Sequence, residues 1–129
     1  MKNNVILCVD DEKIILDSVK TQLKNNFGNK YILETAQNGL DALEIIEELQ
    51  GDGIEVLVII SDWLMPQMRG DEFLIAAHKK FPRIVKIMLT GQADDKAIKN
   101  AMANANLLCC LSKPWKEQDL VNAVKKALP

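Results

Sequence analysis

Five polar residues whose types could do chemistry stand close behind short apolar runs. Asp10 and Asp11 follow Val5-Ile6-Leu7-Cys8-Val9, and Asp62 follows Val56-Leu57-Val58-Ile59-Ile60-Ser61. Thr90, with Gly91 behind it, follows Ile84–Leu89, and Lys113 follows Leu107–Leu111 and Ser112. Gathered in one place, three carboxylates would repel one another and call for a counter-charge. A hard divalent cation suits them, because Mg²⁺ takes one or two carboxylates, waters and a phosphoryl oxygen. A cation and the Lys113 ammonium aimed at one point would stabilise negative oxygen, which is what phosphoryl transfer asks of a protein. A carboxylate such as Asp62 could then act as the nucleophile and form an aspartyl phosphate.

Taken singly, each residue has a plainer role. Asp10-Asp11 suits a turn and helix cap, Asp62 and Thr90-Gly91 suit turns, and Lys113 suits an exposed surface. Only a fold that brings all of them to one edge turns them into a site. The apolar runs Val5–Val9, Tyr31–Ala36, Val56–Ile60, Ile84–Leu89 and Leu107–Leu111 read as strands. Between them lie helical patterns: Ile15, Leu16, Val19 and Leu23; Leu40, Leu43, Ile46 and Leu49; Phe73, Leu74 and Ala77 within Glu72–Lys80; and Asp94–Met102. A last helix over about Lys116 to Leu128 would bury Leu120, Val121, Val124 and Ala127. Strands that strictly alternate with helices predict a five-stranded parallel sheet sandwiched by five helices, an α/β fold. In such sheets the functional crevice lies beyond the carboxyl ends of the strands, where all five polar residues fall.

Composition supports this and excludes other classes. The 129 residues fit one domain, spanning 1–129, with 48% hydrophobic and 26% charged residues. Sixteen basic against 18 acidic residues leave a net charge of −2, without the basic excess of a phosphate-driven nucleic-acid binder. No run approaches the roughly 20 apolar residues of a membrane span, and no signal peptide is evident. Cys8, Cys109 and Cys110 sit in apolar runs and are expected to be reduced, buried thiols, placing the chain in the cytoplasm.

In combination, Val9-Asp10-Asp11-Glu12, Asp62-Trp63-Leu64-Met65-Pro66 with Gly70, Leu89-Thr90-Gly91 and Lys113-Pro114-Trp115 resemble the response-regulator receiver family of two-component signalling, over Val5 to Leu128. The resemblance implies a flavodoxin-like doubly wound sheet in strand order 2-1-3-4-5. It makes Asp62 the phosphoacceptor, taking a phosphoryl group from the phosphohistidine of a sensor histidine kinase or phosphotransfer protein. It implies Mg²⁺ (or Mn²⁺) held by Asp11, by Asp10 mainly through water, by Asp62 and by the backbone carbonyl of Leu64. Lys113 would pair with the acceptor and then the phosphoryl oxygens, Thr90 with Gly91 behind it would close on the phosphoryl group, and Lys113-Pro114 would be cis. Leu64 and Gln92 would border the phosphoryl group and tune its lifetime, Leu64 by hindering the hydrolytic water or Gln92 by orienting it. An output domain or downstream protein would read the switch, and a homodimer through the fourth helix, fifth strand and fifth helix is a further expectation. The chain would be a stand-alone receiver or a fragment of a longer regulator, the Lys-Pro-Trp motif favouring the fragment.

One position departs from the family. Three residues before the lysine, where receivers carry an aromatic ring that packs inward on activation, stands Cys110. A thiol is too small for that motion, so the readout is expected near Gly91-Gln92-Ala93 or at Trp115, the candidate output surface. The rival readings are a phosphorylation-independent binding platform, a flavin or nucleotide carrier, and an aspartyl-phosphate phosphatase. The carrier would need a glycine-rich phosphate loop after the first strand, where Asp10-Asp11-Glu12 stands instead. The phosphatase would need an acid two residues after the nucleophile, where Leu64 stands, and His78 is expected at the surface.

Overall fold

The computed structural model describes residues 4–91 and 95–129. Five strands and five helices alternate: β1 (Asn4–Val9), α1 (Lys13–Phe27), β2 (Ile32–Ala36), α2 (Gly39–Gly51), β3 (Glu55–Asp62), α3 (Gly70–Lys80), β4 (Val85–Thr90), α4 (Asp95–Asn104), β5 (Leu107–Ser112) and α5 (Glu117–Ala127). All strand pairs are parallel, and the order is β2-β1-β3-β4-β5. The fold is therefore a doubly wound parallel α/β sandwich. The order reverses between β1 and β3, which places the crevice of such a sheet over the ends of those two strands.

The central strands are apolar on both faces because helices cover both. On one face Val5, Leu7, Val9, Ile59 and Met88 pack against Ala42 and Ile46 of α2, Phe73, Leu74 and Ala77 of α3, and Ala101 of α4. On the other, Ile6, Val58, Ile60, Ile87 and Leu89 pack against Leu16, Val19 and Leu23 of α1 and Leu120 and Val124 of α5. Asn38 caps α2, its side chain accepting the Asp41 N–H at 2.8 Å, and this fixes where the chain turns from β2 into the helix.

Several expectations need correction. Leu40 is 53% exposed, because Gly39, Ala42 and Ile46 form the inner face of α2 and Leu40 lies about 100° round from Gly39. α3 begins at Gly70, two residues earlier than its apolar stripe suggested. Of the cysteines only Cys8 is buried; Cys109 and Cys110 are half-buried, since β5 is an edge strand. Ala127 at the end of α5 is likewise only partly covered, and Ala123 is buried instead. His78 is not a free surface residue: it is half-buried, with Nδ1 2.8 Å from the Nζ of the fully buried Lys86 of β4. Asp94 and Gln92-Ala93 lie outside the described residues.

Candidate functional site

The ends of β1, β3 and β5 carry the site. Asp10 follows β1 directly and is fully buried, its N–H donating to the Ala36 carbonyl at 3.1 Å. One carboxylate oxygen, Oδ1, accepts the Glu12 N–H at 2.9 Å, so the same residue turns the chain into α1. Asp62 is the last residue of β3, paired with Leu89 of β4, and is 5% exposed. Asp11 stands beside them, exposed to solvent. One ligand oxygen from each of Asp10, Asp11 and Asp62 falls within 4.8 Å of the others.

Lys113, just past β5, reaches between the two buried carboxylates. Its Nζ is 2.9 Å from Asp10 Oδ2 and 2.9 Å from Asp62 Oδ1. Its backbone is tied as well, its N–H donating to the Thr90 carbonyl at 2.8 Å and joining the ends of β4 and β5. The Lys113-Pro114 bond is cis. Burial pulls the Lys113 ammonium down, but its hydrogen bonds to Asp10 and Asp62 outweigh this and raise it above the ordinary lysine value. Burial likewise pushes the Asp62 carboxyl up, against the hydrogen bond from Lys113 that holds it down.

The loop after Asp62 is clamped rather than free. The Trp63 N–H donates to the Leu89 carbonyl at 3.0 Å, and the Trp63 carbonyl accepts the Gly70 N–H at 2.6 Å. Gly70 has to be glycine for reasons of space: a Cβ there would stand 1.9 Å from the Asp62 carbonyl oxygen. Ser61 Oγ donates to that same carbonyl at 2.9 Å. Glu72 accepts the Arg69 N–H at 3.0 Å and so starts α3 in a defined register. Leu64 faces solvent at the mouth, 64% exposed.

Thr90, 7% exposed, ends β4, and Gly91 after it is exposed. Cys110 packs partly against the α3–α4 side of the core, its thiol pushed up by burial and by Cys109. Trp115 packs against the α1–α5 side, and its Nε1 donates to Gln22 Oε1 of α1 at 2.8 Å. Gln92 lies outside the described residues.

Three features went unread in the sequence. The Trp63 Nε1 is buried with no hydrogen-bond partner among the described residues. Asp71 is a fully buried carboxylate on α3, paired at two points with Arg69. Its spacing from Leu74 and His78, three and seven residues on, is the one signal that could have placed it on a packed stripe. The third is Lys86 beneath His78.

The donor set fits a divalent cation. Asp10 and Asp62 share the Lys113 ammonium and Asp11 stands beside them, so among the described residues three carboxylates of hard oxygen ligands meet one cation. No described helix is long and apolar enough to cross a membrane.

Comparison with known proteins agrees with the geometry. The family model for the response regulator receiver domain matches residues 6–125. The chain is 33% identical over 124 residues to the sensor kinase CckA of Brucella abortus, covering 96% of this chain but 12% of that protein. It is 28% identical to a chemotaxis protein CheY homolog of Campylobacter jejuni, covering 95% of this chain and 91% of the homolog. It thus spans a small part of some relatives, including 24% of the hydrogenase transcriptional regulatory protein HoxA of Cupriavidus necator, and nearly the whole of others. Among solved structures, the signal receiver domain of an HD domain-containing protein from Pseudomonas fluorescens superposes with a TM-score of 0.85 at 32% identity, covering 96% of this chain and 93% of that one. A CheY-like receiver domain from Methanospirillum hungatei gives 0.82 at 32% identity, covering 95% and 91%. With the family model matched over residues 6–125 and nearly the whole chain superposed on receiver domains, the chain belongs to the response regulator receiver family of two-component signalling.

Proposed function

We propose that Asp62 accepts a phosphoryl group from the phosphohistidine of a sensor kinase or phosphotransfer protein, and that the modified site switches an output domain or partner. The observation that carries this reading is Lys113 Nζ, 2.9 Å from both Asp10 and Asp62, inside a cluster of three carboxylates. An Asp62 oxygen attacks phosphorus as the P–N bond to the donor imidazole breaks. The nitrogen leaves with the bonding electron pair, and the acceptor has no proton to lose because it reacts as a carboxylate. The ammonium of Lys113 holds that carboxylate now and is placed to follow the charge to the phosphoryl oxygens. Thr90, ending the neighbouring strand, supplies the hydroxyl for a further hydrogen bond.

Asp10, Asp11, Asp62 and the Leu64 carbonyl would hold Mg²⁺, which would supply neutralisation of phosphoryl charge. Nothing two residues after Asp62 can act as a general acid, because that residue is the exposed Leu64. Turnover of a free phosphate ester is therefore expected to be slow, which suits a signalling module.

The test is intact mass after incubation with a small acyl phosphate. A single phosphoryl adduct is expected on the wild type with Mg²⁺, and none on Asp62→Asn or without metal. An adduct that survives in Asp62→Asn overturns the assignment. No adduct under any condition would leave a phosphorylation-independent binding platform.

A further inference from the structure

We propose that the Arg69–Asp71 ion pair is a latch through which the acceptor loop sets the position of α4, in place of the aromatic ring that Cys110 cannot provide. The inference rests on reading Asp62 as the phosphoacceptor. Asp71 is fully buried in the first turn of α3, and Arg69 meets it with Nε on Oδ1 at 3.1 Å and Nη2 on Oδ2 at 3.2 Å. The Asp71 side chain is 1% exposed and that of Arg69 52%, so the buried carboxylate must keep a cationic partner while the guanidinium can exchange this contact for water. Such a pair is better suited to deciding between arrangements than to holding one together.

Its two halves lie two residues apart, Arg69 as the N-cap of α3 with its N–H on Glu72, and Asp71 in the first turn of that helix. Arg69 ends the acceptor loop, and the next residue, Gly70, is bonded back to Trp63 at 2.6 Å, so a shift at Asp62–Trp63 is passed to Arg69 within one hydrogen bond. Asp71 belongs to α3 and lines a cleft of about 300 Å³ together with Arg69 and with Lys96, Ala97 and Asn100 of α4. The buried residues of α4 are Ala97 and Ala101. Alanines bring little apolar area to the contact, so polar contacts at the cleft can decide where α4 sits.

Lys96, exposed in the first turn of α4, is the cation by which α4 can answer Asp71. If a shift of the loop turns the half-exposed Arg69 side chain out to water, the buried carboxylate needs a new partner. Exchange of Arg69 for Lys96 supplies one and draws the start of α4 toward α3. No covalent step is involved, and Asp71 keeps one cationic partner throughout.

The test is hydrogen exchange across residues 95–104, with Mg²⁺ and with or without beryllium fluoride as a phosphoryl mimic. Wild type is expected to change its exchange there by tenfold or more on adding the mimic. Arg69→Gln and Lys96→Gln, both at side chains with room to be replaced, are expected to cut that response below twofold. Trp63 fluorescence should still report mimic binding in both variants, with affinity within twofold of wild type. A wild-type-like α4 response in both variants overturns the latch, as does a wild type that binds the mimic without any α4 response. A merely structural pair would raise exchange equally with and without mimic, and that outcome overturns it too. If the wild type gives no Trp63 response, the phosphoacceptor reading itself fails and the latch falls with it.

Discussion

Lys86 shows what a single residue can hide inside an ordinary core. It lies on β4 with no exposed surface, and its ammonium donates to His78 Nδ1 at 2.8 Å and, more distantly, to the Pro82 carbonyl at 3.5 Å. A charged lysine has no lone pair, so Nδ1 must be the acceptor and His78 must be neutral. Burial pulls Lys86 from 10.5 to about 8, and burial together with the Lys86 charge pulls His78 below 6.5. The signs then follow by linkage. Below pH 6.5 the unfolded chain protonates His78 while the folded chain resists, so stability falls as pH falls. Between pH 8 and 10.5 the folded chain has released the Lys86 proton and the unfolded chain has not, so stability rises with pH, by a total on the order of 3 kcal/mol for that shift. Urea denaturation at pH 5.5, 7 and 9.5, as round test points, should show both limbs. His78→Gln, which keeps an acceptor, should flatten the acid limb, and Lys86→Met the alkaline one. An unchanged pH profile in both variants would mean that the pair is not the source.

At the scale of elements, the turn from β3 into α3 does most to place Asp62, and Gly70 is its tightest point. Replacing glycine by alanine inside a helix ordinarily stabilises by roughly 0.5–1 kcal/mol. At Gly51, where a Cβ would meet nothing within 4 Å, that sign is expected. At Gly70 the Cβ would strike the Asp62 carbonyl, so Gly70→Ala should instead cost about 1–3 kcal/mol. If Asp62 is the phosphoacceptor proposed above, it should also slow phosphorylation by roughly 100-fold, because the backbone of Asp62 itself is pushed. Parallel urea melts and adduct rates on the two alanine variants check this, and equal effects at both sites would refute it. The same turn marks the limit of sequence reading. Strand ends were legible because apolar runs stop abruptly at Asp10, Asp62 and Thr90. Gly70 could be noticed as part of a motif, but its reason is a contact eight residues back along the chain and across a turn. Asp71, Lys86 and the exposed Leu40 were illegible for a related cause. Hydrophobic pattern ranks residues by type, whereas burial here was set by which helix face met a neighbour. Asp71 and Lys86 are charged side chains whose partners, Arg69 and His78, make burial tolerable.

At the scale of the whole molecule, the sheet assembles a group of like charges that the fold alone does not neutralise. Asp10 and Asp62 are held by the single ammonium of Lys113, with Asp11 beside them in solvent. Order β2-β1-β3-β4-β5 forces this meeting, because it sets the ends of β1 and β3 side by side and brings the ends of β4 and β5 next to them. The unfolded chain has no such meeting, so a cation that prefers three close carboxylates binds the folded state alone. Mg²⁺ at about 100 times its dissociation constant should then stabilise the protein by roughly 2.7 kcal/mol. Asp11→Asn separates this linkage from a general salt effect, since Asp11 is exposed and its replacement leaves both Lys113 contacts in place. Without Mg²⁺ the variant should be as stable as wild type or slightly more so, having lost one repelling charge. With Mg²⁺ it should gain much less. Urea titrations of both proteins with Mg²⁺ and with an equal ionic strength of NaCl give the comparison, and an equal Mg²⁺ gain in both would remove Asp11 from the cation site.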